Sequence, residues 1–404
     1  MSTRDAPPAL RRALPSVPVL SLASFRGHGG DDLPSLLDAG QVRMVTSGRI
    51  AIGLALREMD VGPGDRVLVP AYHSPSMIPP VHWCGASVVF YRVRPDSTID
   101  LEDIAAKLDA GVKAVMATHF FGFPQDLGPL RALCDSHGVK LLEDCAHAFF
   151  GHHAGTPVGA TGDYAIGSSM KFYPIYEGGC LVSRRHRLAL HLRSAGPGFE
   201  AKAALAALET AFAHGRLKPL SLALSLPLRL KGALWNALKS RRPAGAAAPA
   251  LAPDSSDSSF NFDARWLEKR SSLFSRLTMC FASRARIVAL RRRHYLLLQQ
   301  SLDGVAGCRP LFPALPQGAC PWVFPLLVDQ ADAVFATLHE AGVPMVRFGS
   351  TLWPGVDASV CANSVALGRH LIGFPCHQEL RPSELDWMRA TIRRAFGATA
   401  ALAA

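Results

Sequence analysis

A lysine and an aspartate in this chain have the side chains that carbonyl chemistry needs. Lys171 is the only lysine between Lys140 and Lys202, and it precedes the run Glu177-Gly178-Gly179. Asp144 ends an apolar run that resembles a buried strand. A primary amine can form a Schiff base with an aldehyde, and a carboxylate can keep a pyridine nitrogen protonated so that the ring withdraws electrons. The pair therefore predicts a site for pyridoxal 5′-phosphate (PLP).

A helix start upstream could bind the phosphate of such a cofactor. Thr46, Ser47, Gly48 and Arg49 precede or begin a predicted helix. The N–H groups at a helix N-terminus bind anions, and a glycine there allows close approach. Arg49 could add positive charge or could face solvent. A Ser-Gly pair is common before helices, so this segment is informative only together with Lys171.

The elements that must position these residues alternate from about residue 41 to residue 185. Short apolar runs and helix-length amphipathic segments follow one another, which is typical of an α/β fold with a mostly parallel sheet. The predicted strands are Arg66–Val69, Ser87–Val93, Ala114–Thr118, Lys140–Glu143, Tyr164–Ser168 and Cys180–Ser183. The predicted helices are Arg49–Met59, Leu101–Leu108 and Leu127–His137. Ligands bind outside the carboxyl ends of strands in such sheets, so Asp144 is expected to point into a crevice.

Residues 200–259 break this alternation. The first part is rich in alanine, leucine and basic residues, and two interpretations stay open: a helical insertion packed on its own domain, or a basic amphipathic helix pair on a membrane surface. Residues 243–259 are dense in Ala, Pro, Ser and Asp and predict a flexible loop.

The remaining sequence predicts a long helical region and then a smaller α/β domain. Helical periodicity runs from about residue 264 to 302, with Arg291-Arg292-Arg293 expected on one exposed face. The pattern then predicts strands at 323–328 and 344–347 and helices at 331–341 and 382–396. We therefore expect an N-terminal segment at 1–40, a large PLP-binding domain at 41–302 that carries the 200–259 insertion, and a small C-terminal domain at 303–404.

Composition limits the class of protein. The chain has 404 residues, of which 49% are apolar and 19% charged, and this balance excludes disorder for most of its length. Nine cysteines occur without a CxxC pair or metal-ligand spacing, so we expect no metal site and a reducing, cytoplasmic compartment. A net charge of +11 suits a phosphate-bearing substrate or an anionic membrane as readily as nucleic acid. We expect a small-molecule substrate and no nucleic-acid partner.

Several runs, in their order and spacing, resemble the DegT/StrS-type nucleotide-sugar aminotransferases, which are PLP enzymes of fold type I. The resemblance covers about residues 40–185 and continues more loosely through residues 295–302 and the C-terminal part. The matching runs are Thr46–Ala51, Pro63–Pro70, Thr118–Gly122, Glu143–Ala148, Gly162-Asp163 and Lys171–Gly179.

The resemblance implies roles for the residues at matching positions. Lys171 would hold the cofactor, Asp144 would pair with the pyridine nitrogen, and His147 would contact the ring hydroxyl side. From the residues alone, His147 fits a structural position in a helix first turn equally well. The expected cofactor-binding residues are Ser47, Gly48, Arg49, His73, Asp144, His147, Ser168 and Lys171.

The sequence also departs from the family pattern. Arg49 stands where the family usually has threonine, and Ser74 stands near the aromatic residue that stacks on the cofactor, so Tyr72 or His73 is expected to stack instead. The stretch from Gly162 to Lys171 is about two residues shorter than usual. Asn261 is the candidate for an asparagine that the family lends to its dimer partner.

The expected reaction is transfer of an amino group, with glutamate as the donor, to a nucleotide-linked keto-deoxysugar in surface polysaccharide or amino-sugar biosynthesis. His119, Glu177 and Arg347 are the candidate substrate contacts. A homodimer is implied by the resemblance, and peripheral membrane association stays open. The alternatives are a non-catalytic PLP-fold regulator or membrane-associated assembly protein, and a PLP-dependent sugar dehydratase. Related dehydratases have histidine in place of the lysine, so Lys171 argues against the last.

Overall fold

A seven-stranded sheet forms the centre of the molecule. The computed structural model describes residues 14–29, 33–224 and 261–403. The strands are β1 (Gln41–Val45), β2 (Arg66–Pro70), β3 (Ser87–Tyr91), β4 (Val112–Thr118), β5 (Lys140–Asp144), β8 (Tyr164–Gly167) and β9 (Gly179–Ser183). A hairpin of β6 (His152–His153) and β7 (Thr156–Pro157) lies apart from them. The order is β1-β9-β8-β5-β4-β2-β3, with β9 antiparallel to both of its neighbours and the other pairs parallel. The predicted mostly parallel sheet is thus confirmed.

Four helices accompany the strands up to β5. They are α1 (Gly48–Glu58), α2 (Ile78–Trp83), α3 (Leu101–Lys107) and α4 (Gly128–His137). Ser47 caps α1, because its hydroxyl accepts a hydrogen bond from the backbone N–H of Ile50 at 3.2 Å. Gly138, with φ of 65°, ends α4 in the left-handed conformation that glycine adopts readily. The sequence prediction missed β1 and α2 and placed the other boundaries within a few residues.

Helices α5 (Pro197–Ala213) and α6 (Lys218–Ala223) begin the predicted insertion. Helix α5 buries Phe199, Ala203, Ala207 and Ala211, which share one face at four-residue spacing, and it packs against α7 (Leu273–Phe281). This contact favours the packed-insertion interpretation for α5. The predicted flexible loop at 243–259 lies outside the described residues. Among the described residues no helix is long and apolar enough to cross a membrane.

The long helical region is interrupted rather than continuous. It comprises a 3-10 turn at Ala264–Trp266, then α7, then α8 (Arg284–Ser301). Ser272 and Ser283 cap α7 and α8, since each hydroxyl accepts from a backbone N–H three residues later. Serine competes for such caps better than for helix interiors, which explains the breaks.

Arg291 corrects the expectation that three consecutive arginines share an exposed face. Its side chain is fully buried, whereas Arg292 is half-buried and Arg293 is exposed. Consecutive residues of a helix point about 100° apart, so three of them cannot face the same way.

A three-stranded antiparallel sheet forms the C-terminal part. It contains β10 (Cys308–Pro310), β11 (Val323–Val328) and β12 (Leu371–Pro375), with α9 (Ala331–Glu340), α10 (Ala358–His370) and α11 (Pro382–Ala403) around it. The strand predicted at 344–347 is wrong. Only Val346 pairs with β12, through two backbone hydrogen bonds with Gly373 of 2.9 and 2.8 Å, so the segment makes an isolated bridge.

The segment 316–322, between β10 and β11, lies directly on the backbone of the large sheet's connections. Gly122 has a φ of 94°, and a Cβ there would lie 2.7 Å from Pro321 Cα and would overlap Cys320 O. A Cβ on Gly151 would overlap Gly318 O, and one on Gly318 would overlap His152 O. The absence of side chains at these three glycines therefore allows the contact.

Candidate active site

A cleft lies where the carboxyl ends of β5 and β8 meet the start of α1. It has an empty volume of about 570 Å³, counted with the solvent at its mouth. Every predicted catalytic and cofactor-binding residue except His73 lines it: Ser47, Gly48, Arg49, Asp144, His147, Ser168 and Lys171. The cleft thus brings together residues that are up to 124 positions apart in the sequence, because the crossover connections place the strand ends side by side.

Asp144 is oriented by two hydrogen bonds at the end of β5. Its Oδ1 accepts from the backbone N–H of Ala146 at 2.9 Å, and its Oδ2 is 3.4 Å from the hydroxyl of Thr118 on the adjacent strand β4. Burial raises the pKa of the Asp144 carboxyl, while the Ala146 N–H and the nearby positive charge of Lys171 act in the opposite direction. A cationic partner in the cleft would stabilise the charged carboxylate.

Lys171 lies in a short 3-10 turn, Ser169–Lys171, that follows β8. Its side chain is buried, with Nζ 4.6 Å from the centroid of the Trp322 ring. Its backbone carbonyl accepts a hydrogen bond from Arg291 at 2.7 Å. The amine is thus held beside the sheet and under an aromatic ring.

His147 faces the same cleft and is buried between aromatic rings. Its ring stacks on Trp322 with centroids 3.9 Å apart and lies 5.8 Å from that of Phe121. Burial lowers the pKa of His147 well below its ordinary value, and the charge of Lys171 adds to this effect. The imidazole is therefore neutral at pH 7, and its Nδ1 is buried with no hydrogen-bond partner among the described residues.

The start of α1 lies at the cleft, which Ser47, Gly48 and Arg49 line. The Ser47 hydroxyl accepts from the backbone N–H of Ile50, and the earlier N–H groups of a first helical turn have no partner within the helix and can bind an anion. Strand β9 supports this turn at very close range, since a Cβ on Gly179 would lie 2.6 Å from Gly48 N. Arg49 also lines the cleft, and its guanidinium donates to the backbone carbonyl of Asn261.

The residues of the cleft match the chemical groups of PLP. A phosphate would meet the N-terminus of α1, and a pyridinium would meet the buried carboxylate of Asp144. The unsatisfied Nδ1 of His147 is available to a polar ring substituent. An aldehyde would be within the part of the cleft that Lys171 lines.

His73 does not lie where it was predicted to contact the cofactor, because it is not among the residues that line the cleft. Its ring is fully buried and stacks on Phe90 at 5.0 Å, with Nδ1 near the carbonyls of Pro70 and Ala71 and Nε2 accepting from Trp353 N. Tyr72 is buried as well, and its hydroxyl donates to Phe348 O at 2.9 Å. Neither side chain lines the cleft, where the structure places Ser74 instead.

The three candidate substrate residues do not line the cleft either. His119 is buried with Nε2 3.1 Å from Glu143, and its Nδ1 accepts from Gln125 N. Glu177 is buried, and its Oε1 accepts from the hydroxyls of Ser271 and Ser272 and from Ser272 N. Arg347 donates to Asp332 and to the carbonyl of Arg369. These hydrogen bonds hold the scaffold, and a contact of His119, Glu177 or Arg347 with a substrate stays a prediction.

The buried group His119, Glu143 and Cys145 brings its ligand atoms within 4.8 Å of one another. Glu143 already accepts hydrogen bonds from the backbone N–H groups of Gly159, Thr161 and Gly162. Since these donors and His119 occupy the carboxylate, the group holds the loop before β8 in place and leaves little capacity for an ion.

Sequence reasoning missed Thr118, Phe348 and Trp322. Thr118 could have been found, because it ends the strand paired with β5 and lies directly opposite Asp144 in the register. Trp322 gave no local signal. It comes from the C-terminal part of the chain and reaches the site only through the placement of segment 316–322.

Comparison with known proteins agrees with this geometry. Residues 32–205 match the DegT/DnrJ/EryC1/StrS aminotransferase family. The chain is 37% identical over 142 residues to GDP-perosamine synthase of Vibrio cholerae, which covers 34% of this chain and 39% of that protein. It is 33% identical over 156 residues to dTDP-3-amino-3,4,6-trideoxy-alpha-D-glucose transaminase of Streptomyces venezuelae, covering 37% and 40% of the two chains. The chain thus spans about two-fifths of the length of these relatives.

The fold extends further than the sequence match. A protein from Streptococcus pneumoniae, described as a sugar aminotransferase and solved in its PLP form, superposes with a TM-score of 0.61 at 16% identity over 88% of this chain and 87% of that one. The fold-type-I prediction is confirmed, as is the family resemblance over residues 32–205.

Proposed function

We propose, from the match of residues 32–205 to the DegT/DnrJ/EryC1/StrS aminotransferase family, that this protein is a PLP-dependent aminotransferase that adds an amino group to a sugar. One observation carries the proposal: the amine of Lys171 and the carboxylate of Asp144 line the same cleft, which begins at the N-terminus of α1. These are the three positions at which PLP needs a nucleophile, an anion and an anion-binding turn.

PLP, when bound, supplies an aldehyde that accepts the amino group and a ring that withdraws electrons. Asp144 would supply a negative charge at the ring nitrogen, since the backbone N–H of Ala146 holds that carboxylate in position. Lys171 Nζ would anchor the cofactor and, once released, would take and return the proton at the reacting carbon of the substrate. His147 would offer Nδ1 to the hydroxyl side of the ring.

The phosphate is held by Ser47, Gly48 and Ser168 in this proposal, with Arg49 adding positive charge. All four residues line the cleft. Since Arg49 donates to Asn261 O, this arginine also ties the cradle to the segment that leads into α7. The guanidinium therefore serves the shape of the site as well as its charge.

The substrate class follows from the relatives and from the cleft. Both relatives have names that place their chemistry on nucleotide-linked sugars, one with GDP and one with dTDP. We infer a nucleotide-linked keto-deoxysugar as the acceptor and glutamate as the donor, in surface polysaccharide or amino-sugar biosynthesis. Ser74, which stands near the position of the family's stacking aromatic residue, lines the cleft together with Ser76.

The domain division at residues 40 and 302, a cytoplasmic location and a homodimer remain parts of this proposal. The non-catalytic alternative is favoured by one feature, the serine at position 74 in place of the stacking aromatic residue. Bound PLP without amino transfer to any acceptor would support that alternative. Flotation with anionic vesicles separates the membrane-associated alternative from both.

The decisive experiment replaces the anchoring amine. Wild type should show a visible PLP absorption band, and borohydride reduction should fix the cofactor on Lys171 in a peptide map. Lys171→Ala should lose the band, the reduced adduct and amino transfer from glutamate to nucleotide-linked keto sugars, because no other lysine lines the described cleft. Lys113→Ala, on β4 outside the cleft, is the matched control and should retain all three. A cofactor that stays covalently attached to Lys171→Ala contradicts the proposal.

A further inference from the structure

Arg291 is a buried cation directly behind the proposed active-site lysine. It lies on α8 and is fully buried. Its Nη2 donates to the backbone carbonyl of Lys171 at 2.7 Å, and its Nη1 donates to those of Pro321 and Trp322 at 3.0 and 3.1 Å. Its Nε donates to Gln378 Oε1 at 3.0 Å. The guanidinium therefore uses its donors on four different acceptors.

All four acceptors are neutral, which is unusual for a buried guanidinium. Burying a charge is costly unless the charge is paired or fully hydrogen-bonded, and ion pairs with carboxylates are the common solution. No ion pair of Arg291 occurs among residues 14–29, 33–224 and 261–403. The face of Phe172, 4.4 Å from the guanidinium carbon, adds a cation–π contact. An apolar residue of similar size would cost less desolvation free energy at this buried position. A contribution to stability alone therefore does not account for an arginine at position 291.

The four acceptors belong to the parts of the chain that shape the cleft. Lys171 supplies the amine, and Trp322 supplies the ring that lies over this amine and stacks on His147. Gln378, just after β12, extends the connection, because its Nε2 donates to the carbonyl of Phe172 at 2.7 Å. Arg291 thus fixes the backbone on both sides of the Lys171–Trp322 contact.

We propose that Arg291 is a positioning residue that sets the distance and angle between Lys171 and Trp322, and through them presents the amine to the carbonyl carbon of the cofactor. This inference rests on the proposed function of Lys171. The planar fork of arginine is needed, since it holds several donors in fixed directions, whereas a lysine ammonium at this position could satisfy fewer of the four acceptors at once.

The test measures how fast the amine captures PLP rather than turnover. Apo protein is mixed with PLP, samples are reduced with borohydride at successive times, and the label on Lys171 is quantified by mass spectrometry. We expect Arg291→Met to slow labelling about tenfold or more, within the roughly 100-fold that a 1 Å misplacement of a reacting group can cost. Arg291→Lys should give an intermediate rate.

Arg216→Met is the matched control for loss of a buried arginine. Arg216 pairs with Glu384 and donates to Glu379 O, with no contact to the cleft. This variant should lose stability and keep the wild-type labelling rate at temperatures where it is folded. Equal slowing in Arg216→Met and Arg291→Met overturns the proposal, as does an unchanged rate in Arg291→Met.

If Arg291→Met does not fold, Arg291→Lys decides, and a wild-type rate in that variant also overturns the inference. Failure of the proposed function has a different signature. In that case wild-type protein itself carries no label on Lys171, whereas failure of the inference leaves wild type labelled and the Arg291 variants equally fast.

Discussion

Asp144 shows how one carboxylate can be both buried and ready to carry charge. Its Oδ1 accepts from Ala146 N, its Oδ2 lies 3.4 Å from Thr118 Oγ1, and the nearby positive charge of Lys171 also favours the charged form. Burial acts in the opposite direction and raises the pKa of the carboxyl. A ring nitrogen that carries a proton would stabilise the carboxylate further, which is the electrostatic reason to propose the cofactor against this side chain.

Asp144→Asn removes the charge and retains the shape. We expect kcat for amino transfer to fall by about 10²-fold or more, the scale of losing one electrostatic contact in a water-excluded site. PLP should remain covalently attached to Lys171. The measurement is single-turnover amino transfer together with borohydride mapping. Asp126→Asn, an exposed carboxylate that accepts from Gly128 N, is the control and should be neutral. Undiminished transfer in Asp144→Asn contradicts the role.

Single residues were predictable where the sequence carries a local reason. Lys171 and Asp144 stand next to strands whose ends meet, so chemistry and position agree. His73 was misplaced because a one-residue shift along an extended segment decides whether a side chain faces the cleft or the core, and no residue type at 72–74 fixes that choice. Trp322 and Arg291 depend on contacts across more than 100 positions of sequence, which periodicity does not report.

At the scale of elements, strand β9 contacts the start of α1, the proposed phosphate cradle, through a glycine. Gly179 pairs with Val45 in the ladder and packs on the Ser47–Gly48 peptide. The flanking strands β8 and β1 fix its position on both sides. A side chain at 179 would overlap the Ser47–Gly48 peptide, so β9 and the start of α1 could not keep their present distance.

Gly179→Ala should weaken PLP binding and destabilise the fold by about 1–3 kcal/mol, as overpacking of a tight contact does. The measurements are the dissociation constant for PLP, from the visible band on titration of apo protein, and the free energy of unfolding in urea. Gly62→Ala is the control, because a Cβ there meets nothing within 4 Å. Wild-type PLP affinity in Gly179→Ala would falsify the close support of the cradle by β9.

Most elements of the large sheet were predictable because apolar runs and glycine stops coincide. Strands β2 to β5 and helices α3 and α4 follow this rule. The segment at 344–347 has the β-branched and apolar residues of a strand, yet only Val346 pairs. Strand formation needs a partner edge over several residues, and this is a property of the assembled sheet rather than of the segment. The breaks before α7 and α8 depend on serines that cap the two helices. Serine also occurs inside helices, so its position alone does not predict a helix start.

At the scale of the whole molecule, four buried histidines couple stability to pH. Burial lowers the pKa of His73 and His294 to about 4, and it holds those of His147 and His377 well below 6.5. In the unfolded chain these imidazoles take up protons below about pH 6.5. The unfolded state therefore binds more protons between about pH 6.5 and 4, and stability falls as the pH is lowered through this range.

The expected slope is about 1.4 kcal/mol per pH unit for each histidine. Urea unfolding of wild type between pH 7.5 and 5 should show this loss, and His294→Gln should reduce the slope by roughly one proton. His153→Gln, at an exposed site, should leave the slope unchanged. Asp144 and Glu177, whose pKa values burial raises, oppose the trend only at the acidic end. A stability that is flat from pH 6.5 to 5 contradicts the prediction.

The glycines at 122, 151 and 318 have a consequence for how this protein can diverge. Gly122 follows β4 and Gly151 follows β5, whereas Gly318 belongs to segment 316–322, which carries Trp322. A Cβ on any of the three would overlap main-chain atoms from another of these parts of the chain. A mutation that adds a methyl group to any one of them cannot be accommodated by trimming a neighbouring side chain, because the obstacle is main chain. Related sequences should therefore either keep all three glycines or lose the contact of segment 316–322 through an insertion or deletion. In the second case the Trp322 ring would no longer lie over the Lys171 amine.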